Sequence, residues 1–325
     1  MADIKTFGEQ VIKNLEKVVI GKRQSLELIV ISLLCQGHVL IEDVPGVGKT
    51  VMARSLARSL DCSFNRIQFT PDMLPSDVTG VSIFNQQKRE FEFREGPVIG
   101  QIILADEINR ATPKTQAALL EAMEEHQVTV DGVTHTLPKP FMVLATQNPI
   151  EYEGTFPLPE AQLDRFLLRV RMGYPSLPDE IRILEEQQLQ HPIESLKPVV
   201  KVKEILASVD AVKQVFVSAA IKRYIVELIN RTRQSDEVYL GASPRGSLAL
   251  FRTGQARAAM LDRDYVLPDD IQEVAVPVLG HRVIVGPAAR LREVSADRIV
   301  REIVEGLPVP GGDYRTPENK GNFKK

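Results

Sequence analysis

The apolar positions of this chain fall into two regimes. In the first, short strand-like runs alternate with helical stretches; in the second, helical spacing dominates. Phe7, Val11, Leu15 and Val18 recur at helical spacing, as do Leu26, Ile29, Val30, Leu33 and Leu34, which predicts two helices between 7 and 36. Val19-Ile20-Gly21-Lys22 separates them, the glycine breaking the period, and Gly37 punctuates the second helix. A short apolar run at 38–42 then reads as a strand. After a glycine-containing turn, Met52, Leu56 and Leu60 line one face of an amphipathic helix, with Ala53 and Ala57 beside them. Residues 64–69 alternate as a second strand. The runs at 101–106 and 141–146 are continuously apolar, as strands buried on both faces of a parallel sheet are, and 166–170 reads as a last strand. Two hairpins interrupt this alternation. Val81–Phe84 and Phe91–Phe93 flank a polar stretch, and Asp131-Gly132 lies between Val128–Val130 and Val133–Thr136. Thr112 is placed to cap, and Pro113 to open, a helix over 113–126.

From Tyr174-Pro175 onward the periods are helical: Ile181 with Leu184, Ile221 with Tyr224, Ile225 and Leu228, Leu248 through Met260, and Ile299 with Ile303. The expected architecture is therefore α/β. A core at 1–174 holds a mostly parallel five-stranded sheet between helices, a smaller all-α domain follows at 175–310, and a tail at 311–325 is too polar to pack and is expected to be disordered. Composition changes little in this picture. With 43% hydrophobic and 26% charged residues the chain reads as an ordinary globular protein, long enough for two cores. The formal net charge of −3, without a block of one sign, argues against a nucleic-acid footprint. Cys35 and Cys62 have no metal-like or disulfide-like context. The most apolar stretch, 26–34, is too short to span a bilayer and carries Glu27, and no signal peptide is visible, so a cytoplasmic setting without membrane insertion is expected.

The chemistry begins at 38–50, H-V-L-I-E-D-V-P-G-V-G-K-T. A strand delivers a glycine-containing loop to a helix, which is how proteins hold a chain of phosphates: backbone N–H groups face the anion, Lys49 adds a point charge and the Thr50 hydroxyl can ligate Mg²⁺. The general G-x-x-x-x-G-K-[ST] pattern is incomplete, because Asp43 stands where its first glycine falls. The apolar run at 102–105 ends in Asp106-Glu107, two carboxylates at the C-terminal end of a buried strand, where open α/β sheets bind ligands. Asp106 can hold Mg²⁺ and Glu107 can polarise a water for attack on a γ-phosphate. Asn148, ending the strand at 141–146, is placed to orient that water if the two strands are neighbours; the plainer reading is that Asn148-Pro149 makes a turn. Arg165 in Leu163-Asp164-Arg165-Phe166 is either an ordinary ion-pair partner of Asp164 or a nearby acid, or an arginine supplied in trans to a neighbour's nucleotide.

Together these residues resemble the MoxR family of AAA+ ATPases over nearly the whole chain. The likeness runs through I-E-D-V-P-G-V-G-K-T at 41–50, D-M-L-P-S-D-V-T-G at 72–80, F-R-E-G-P at 93–97, A-D-E-I-N-R-A at 105–111 and T-Q-A-A-L-L-E-A-M at 115–123. It continues through A-T-Q-N-P at 145–149, P-L-P-E-A-Q-L-D-R-F at 157–166 and G-A-S-P-R at 241–245. The resemblance implies an AAA+ P-loop domain followed by a helical lid, with ATP and Mg²⁺ as ligands. It implies Walker A roles for Gly46, Gly48, Lys49 and Thr50, flanked by Pro45, Val47 and Val51, and Walker B roles for Asp106 and Glu107. Asn148 would be sensor 1, Arg165 the arginine finger and Arg245 the sensor 2 arginine of the lid, joining Lys49 on the β and γ oxygens. Val19-Ile20-Gly21 resembles the segment that packs on adenine. Residues 81–93 and 127–136 match inserts that engage substrate or partner. In that family an Asp at position 43 is compatible with a working loop.

The function this resemblance implies is ATP hydrolysis by a homo-oligomer, as a hexameric ring, coupled to chaperone-like remodelling or maturation of a partner with a von Willebrand factor A domain. A metal-chelatase-like motor subunit and a nucleic-acid motor are the alternatives. A GTPase is disfavoured, since the only Asn-Lys pair, Asn319-Lys320, is followed by Gly-Asn rather than by the Asp that selects guanine. A non-hydrolysing switch would lack a base, and Glu107 is present.

Overall fold

The structure is a computed structural model that describes residues 3–148, 154–188, 190–311 and 314. Two helices, α1 (Ile4–Glu16) and α2 (Arg23–Leu34), precede strand β1 (Val39–Glu42). Then come α3 (Lys49–Ser59), β2 (Phe64–Gln68), the short α4 (Pro75–Thr79) and the hairpin β3 (Gly80–Asn85) and β4 (Glu90–Glu95). Strand β5 (Ile102–Asp106) leads to α5 (Pro113–Glu125) and a second hairpin, β6 (Gln127–Val130) and β7 (Val133–Thr136). Strand β8 (Met142–Gln147), α6 (Glu160–Leu163) and β9 (Leu168–Val170) complete the first half. The second half holds α7 (Leu177–Glu186), α8 (Val202–Val212), α9 (Ala219–Gln234), β10 (Val238–Leu240) and α10 (Pro244–Met260). It ends with α11 (Pro268–Leu279), β11 (Ile284–Val285), α12 (Pro287–Leu291) and α13 (Ala296–Gly306).

The five strands of the main sheet run in the order β2-β5-β8-β1-β9, all parallel. Period-two alternation divides their side chains between two cores. Val39, Ile41, Ile102, Leu104, Met142, Leu144, Leu168 and Val170 enter one, while Leu40, Ile103, Ala105, Val143 and Ala145 enter the other with α5. That two-sided burial is why these segments read as continuous apolar runs. At the Asp131-Gly132 turn both residues have positive φ, 50° and 80°, as a two-residue hairpin loop of this type requires.

The first core does not stop at the sheet. It continues from α1 and α2 into Ile205 of α8, Leu250 of α10 and Ile271 and Leu279 of α11. The two N-terminal helices, grouped by sequence with the α/β half, thus lie between the sheet and the C-terminal helices. Helix α2 is accordingly buried around most of its circumference, including Ser25, Ile29, Val30, Ile31 and Leu34. The second half also holds an antiparallel β10–β11 pair, which its helical periods do not announce. Two local expectations change. Thr112 occupies the N-cap of α5, but its hydroxyl meets Thr115 Oγ1 at 3.2 Å instead of a backbone amide. The left-handed residue after α2 is Gln36 (φ 53°); Gly37 is needed because a Cβ there would lie 2.4 Å from the Leu167 side chain. The tail expected to be disordered lies, beyond Gly311 and Tyr314, outside the described residues.

Candidate functional site

The parallel sheet presents the C-terminal ends of its strands along one edge, and the candidate chemistry gathers there. From β1 the chain enters the loop 43–48, in which Gly46 and Gly48 both have φ of 85°. No atom lies within 4 Å of a Cβ placed at either, so the backbone angle and not space demands glycine. Gly48 is the N-cap of α3, whose first turn has neither a side-chain cap bond nor an acidic residue. The α3 amides are therefore open to an anion, with the helix dipole favouring negative charge. Lys49 Nζ donates to the carbonyl of Asp43 at 2.8 Å, which folds its ammonium back over the loop.

Asp43, the departure from the general loop pattern, is buried and has a defined task. Its Oδ1 accepts from Val44 N at 2.9 Å, and its Oδ2 accepts from Met172 N and Gly173 N at 2.6 Å each. Glycine could not make these charge-assisted bonds. They fasten the loop to the segment that leaves β9 toward α7. The Val19-Ile20-Gly21-Lys22 segment borders the same place: Lys22 Nζ donates to Tyr174 O at 2.7 Å, and a Cβ on Gly21 (φ 71°) would collide with the Asp179 carboxylate. Val19 and Ile20 are buried, and Val47 and Val51 pack against the same core as Val19.

Next to the loop, β8 leads into Asn148, and β5 ends in Asp106 with Glu107 directly after it. Asp106 is buried; Thr146 Oγ1 donates to its Oδ1 at 2.6 Å and Arg66 donates to its Oδ2 at 2.6 Å. Glu107 has a left-handed backbone (φ 55°). Its N–H donates to Thr146 Oγ1 at 2.8 Å, and its Oε2 accepts from Gln68 Nε2 at 2.8 Å and from Arg110 at 3.1 Å. Thr146 thus ties the Asp106 carboxylate to the backbone of Glu107 through one hydroxyl, and Gln68, on β2 beside Asp106, aims the Glu107 carboxylate. Arg66, Gln68, Arg110 and Thr146 all escaped the sequence reading. They lie on strands or turns whose pattern reports burial only, although Thr146 stands inside the A-T-Q-N-P stretch and Arg110 inside A-D-E-I-N-R-A. Asn148 is buried at this edge, as adjacent strands require.

Arg165 and Arg245 are elsewhere. Arg165 precedes β9, and Leu167 N donates to His38 O just before β1, so both arginines stand at the N-terminal edge of the sheet. Arg165 pairs with Glu124 of α5 at 3.0 Å, not with Asp164, and Arg245 pairs with the other oxygen of Glu124. Asp164 instead accepts from Arg282 at 2.7 Å and from Ser243 Oγ at 2.7 Å. A cavity of about 290 Å³ opens beside this cluster, lined by Arg165, Arg245, Arg252 and Arg282 together with Glu124 and His38. The expectation that Arg245 joins Lys49 over the phosphates of one chain does not match this placement. The reason is topological: Lys49 follows a strand whose opposite end faces Arg245.

The donor set at the loop fits a polyphosphate with a divalent cation. It offers uncapped amides, an ammonium, the Thr50 hydroxyl and the Asp106 carboxylate, an oxygen set of the kind Mg²⁺ takes. Residues 38–168 match the model of the ATPase family associated with various cellular activities, and residues 230–303 match the AAA lid domain. The chain is 55% identical to protein YeaC of Bacillus subtilis, an uncharacterised protein, over 95% of this chain and 96% of that one. It is 39% identical to Chaperone MoxR1 of Mycobacterium tuberculosis, over 95% and 84%. A crystal structure of a protein from Cytophaga hutchinsonii superposes with a TM-score of 0.89 at 38% identity, covering 95% of this chain and 96% of that one. A P-loop sheet edge carrying paired carboxylates, followed by a helical lid, defines the class as an AAA+ ATPase. Within that class the chain belongs to the MoxR family.

Proposed function

We propose that the protein hydrolyses ATP and that each hydrolytic site is completed by a neighbouring copy of the chain. The observation that supports this most directly is the division of charged groups between the two ends of one sheet. Lys49, Thr50, Asp106, Glu107 and Asn148 meet at the C-terminal edge, while Arg165 and Arg245 meet at the other. The α3 amides and Lys49 hold the phosphates, and Val19, Ile20 and Gly21 border the base. Thr50 and Asp106 would hold Mg²⁺ through oxygen, and the ion would supply positive charge against the polyphosphate. Glu107, aimed by Gln68 and anchored through Thr146, accepts the proton of the attacking water, and Asn148 orients that water. Arg165 and Arg245 of the next copy leave Glu124 for the more highly charged phosphates. Surfaces at opposite edges give head-to-tail contacts, which close into a ring if the rotation permits; six copies is the size the family resemblance implies.

Hydrolysis so arranged drives the remodelling or maturation of a partner protein, in keeping with the chaperone name of the Mycobacterium relative. By family resemblance the partner carries a von Willebrand factor A domain. The two hairpins offer it a surface: Ile83, Phe84, Phe91 and Val133 are exposed, and Phe93 stacks on His135 with ring centres 3.9 Å apart. Because Asp43 ties the loop to the segment leading into α7, strain at the phosphates has a direct route toward the lid. The test is turnover measured against protein concentration with mass determined in parallel. Turnover per chain should rise as copies associate; a concentration-independent rate in a monomer would sink the shared-site reading. Co-purification that recovers no von Willebrand factor A protein would count against the client.

A further inference from the structure

Helix α7 carries an apolar stripe that its own chain does not cover. Leu177, Ile181 and Leu184 follow the i, i+4, i+7 spacing of one helix face. They are 76%, 49% and 70% exposed, and among the described residues of α7 none is buried. Tyr174, 74% exposed, extends the patch to the rim of the nucleotide cleft, where its carbonyl holds Lys22. A lone exposed leucine needs no explanation, but an aligned apolar face with a polar border marks a contact surface. That border is acidic. Asp179, Glu180, Glu185 and Glu186 stand against one cation, Arg182, which is bound to Glu186 at 2.8 Å.

A second surface has the matching shape and the opposite sign. On α10, Arg245, Leu248 and Arg252 share one face at i, i+3, i+7. Leu248 is 56% exposed, Arg252 is exposed, and Arg165 stands beside Arg245 across Glu124. We propose that α7 docks on the Arg245–Leu248–Arg252 face of a second copy of this chain. The contact brings apolar side chains together, sets the acidic border of α7 against Arg252, and delivers Arg165 and Arg245 of one copy to the cleft rim of the next. It rests on the shared-site reading above, because that reading requires these two edges to meet. Since the two surfaces differ, each copy uses one on either side.

The experiment uses the full chain with ATP and Mg²⁺. The double variant Ile181→Glu, Leu184→Glu changes only exposed positions, and its thermal unfolding should match that of the wild type. Its self-association should weaken more than about 30-fold, the loss expected when central interface residues are removed. Turnover should fall with it while nucleotide binding persists. Leu248→Glu should do the same from the other side. Mixing the two variants leaves one intact pair of surfaces, so heterodimers and partial turnover should appear that neither variant gives alone. If the α7 variant assembles like the wild type, the α7 contact is wrong; Arg165→Ala then still reports whether the site is shared. If both variants dissociate but never form heterodimers, α7 meets a different face of its neighbour and the proposal fails. A wild type fully active as a monomer would overturn the shared site and this contact together.

Discussion

The two ends of the central sheet differ more in chemistry than the two halves of the chain do. At the C-terminal end, backbone amides, Lys49 and the Asp106-Glu107 carboxylates surround space for phosphates and a cation. At the N-terminal end, Arg165, Arg245, Arg252 and Arg282 crowd around Glu124 and Asp164. Strand β1, with four residues, separates these ends by roughly 13 Å at about 3.3 Å per residue. No rotamer of Arg165 or Arg245 spans that length through a packed core. The difference teaches that a single chain can carry carboxylates, amides and arginines suited to phosphoryl transfer and still hold them apart; in the function proposed above, activity then depends on assembly.

The largest effect should come from removing the remote arginine. Arg165→Ala should lower turnover by about 10³- to 10⁵-fold, the range an inserted arginine supplies in GTPases, with ATP binding retained. Mixing it with Glu107→Gln should restore some activity at interfaces that combine an intact base with an intact arginine. Lack of rescue in confirmed mixed oligomers would reduce Arg165 to a local partner of Glu124. Glu107→Gln alone should cost about 10²- to 10⁴-fold in turnover while leaving ATP bound; wild-type rates would remove Glu107 as the base. Lys49→Ala should raise the Kd for ATP by about 10- to 100-fold, the loss of one charge-assisted contact, as titration would show.

His38 probes the arginine edge by pH. Burial, the main cause, pushes its pKa down to about 4 from 6.5. Val143 N donates to Nδ1 and Nε2 faces Met123 O, each at 3.0 Å, so the fold holds the neutral ring protonated at Nε2. Because the folded value is depressed, the contribution of His38 is complete above pH 6.5 and is lost as pH falls toward 4, on the order of 3 kcal/mol in all. Denaturant midpoints across that window should fall for the wild type and less steeply for His38→Gln. The smallest change is expected at Glu124. Glu124→Gln frees both arginines at an exposed site, shifts stability by less than about 1 kcal/mol, and should raise turnover a few-fold at low protein concentration. Reduced turnover would mean that Glu124 positions the arginines instead of competing for them.

Much of this was legible in the chain. The buried strands announced themselves because a parallel sheet covered on both faces tolerates only apolar side chains, as at 102–105 and 142–145. The placement of Gly46, Gly48, Lys49 and the Asp106-Glu107 pair at strand ends was legible because strand-to-helix loops and strand-end acids are local in sequence. Asp43 looked like a defect for the same reason: its partners, Met172 and Gly173, come from the far end of the sheet domain. Gln68 and Thr146 were silent because their work consists of hydrogen bonds between strands that are distant in the chain.

The sequence by itself determined which segments form strands and helices, and which short motifs put glycines, a lysine and paired acids at strand ends, since both follow from periodicity and backbone stereochemistry within a few residues. Only the tertiary structure decided which end of the sheet each charged group occupies, that α1 and α2 join the lid core, and that the face of α7 is left uncovered. Those outcomes depend on strand order and direction, which bring together residues more than a hundred positions apart and keep others, equally suited to one site, at opposite ends of the same strands.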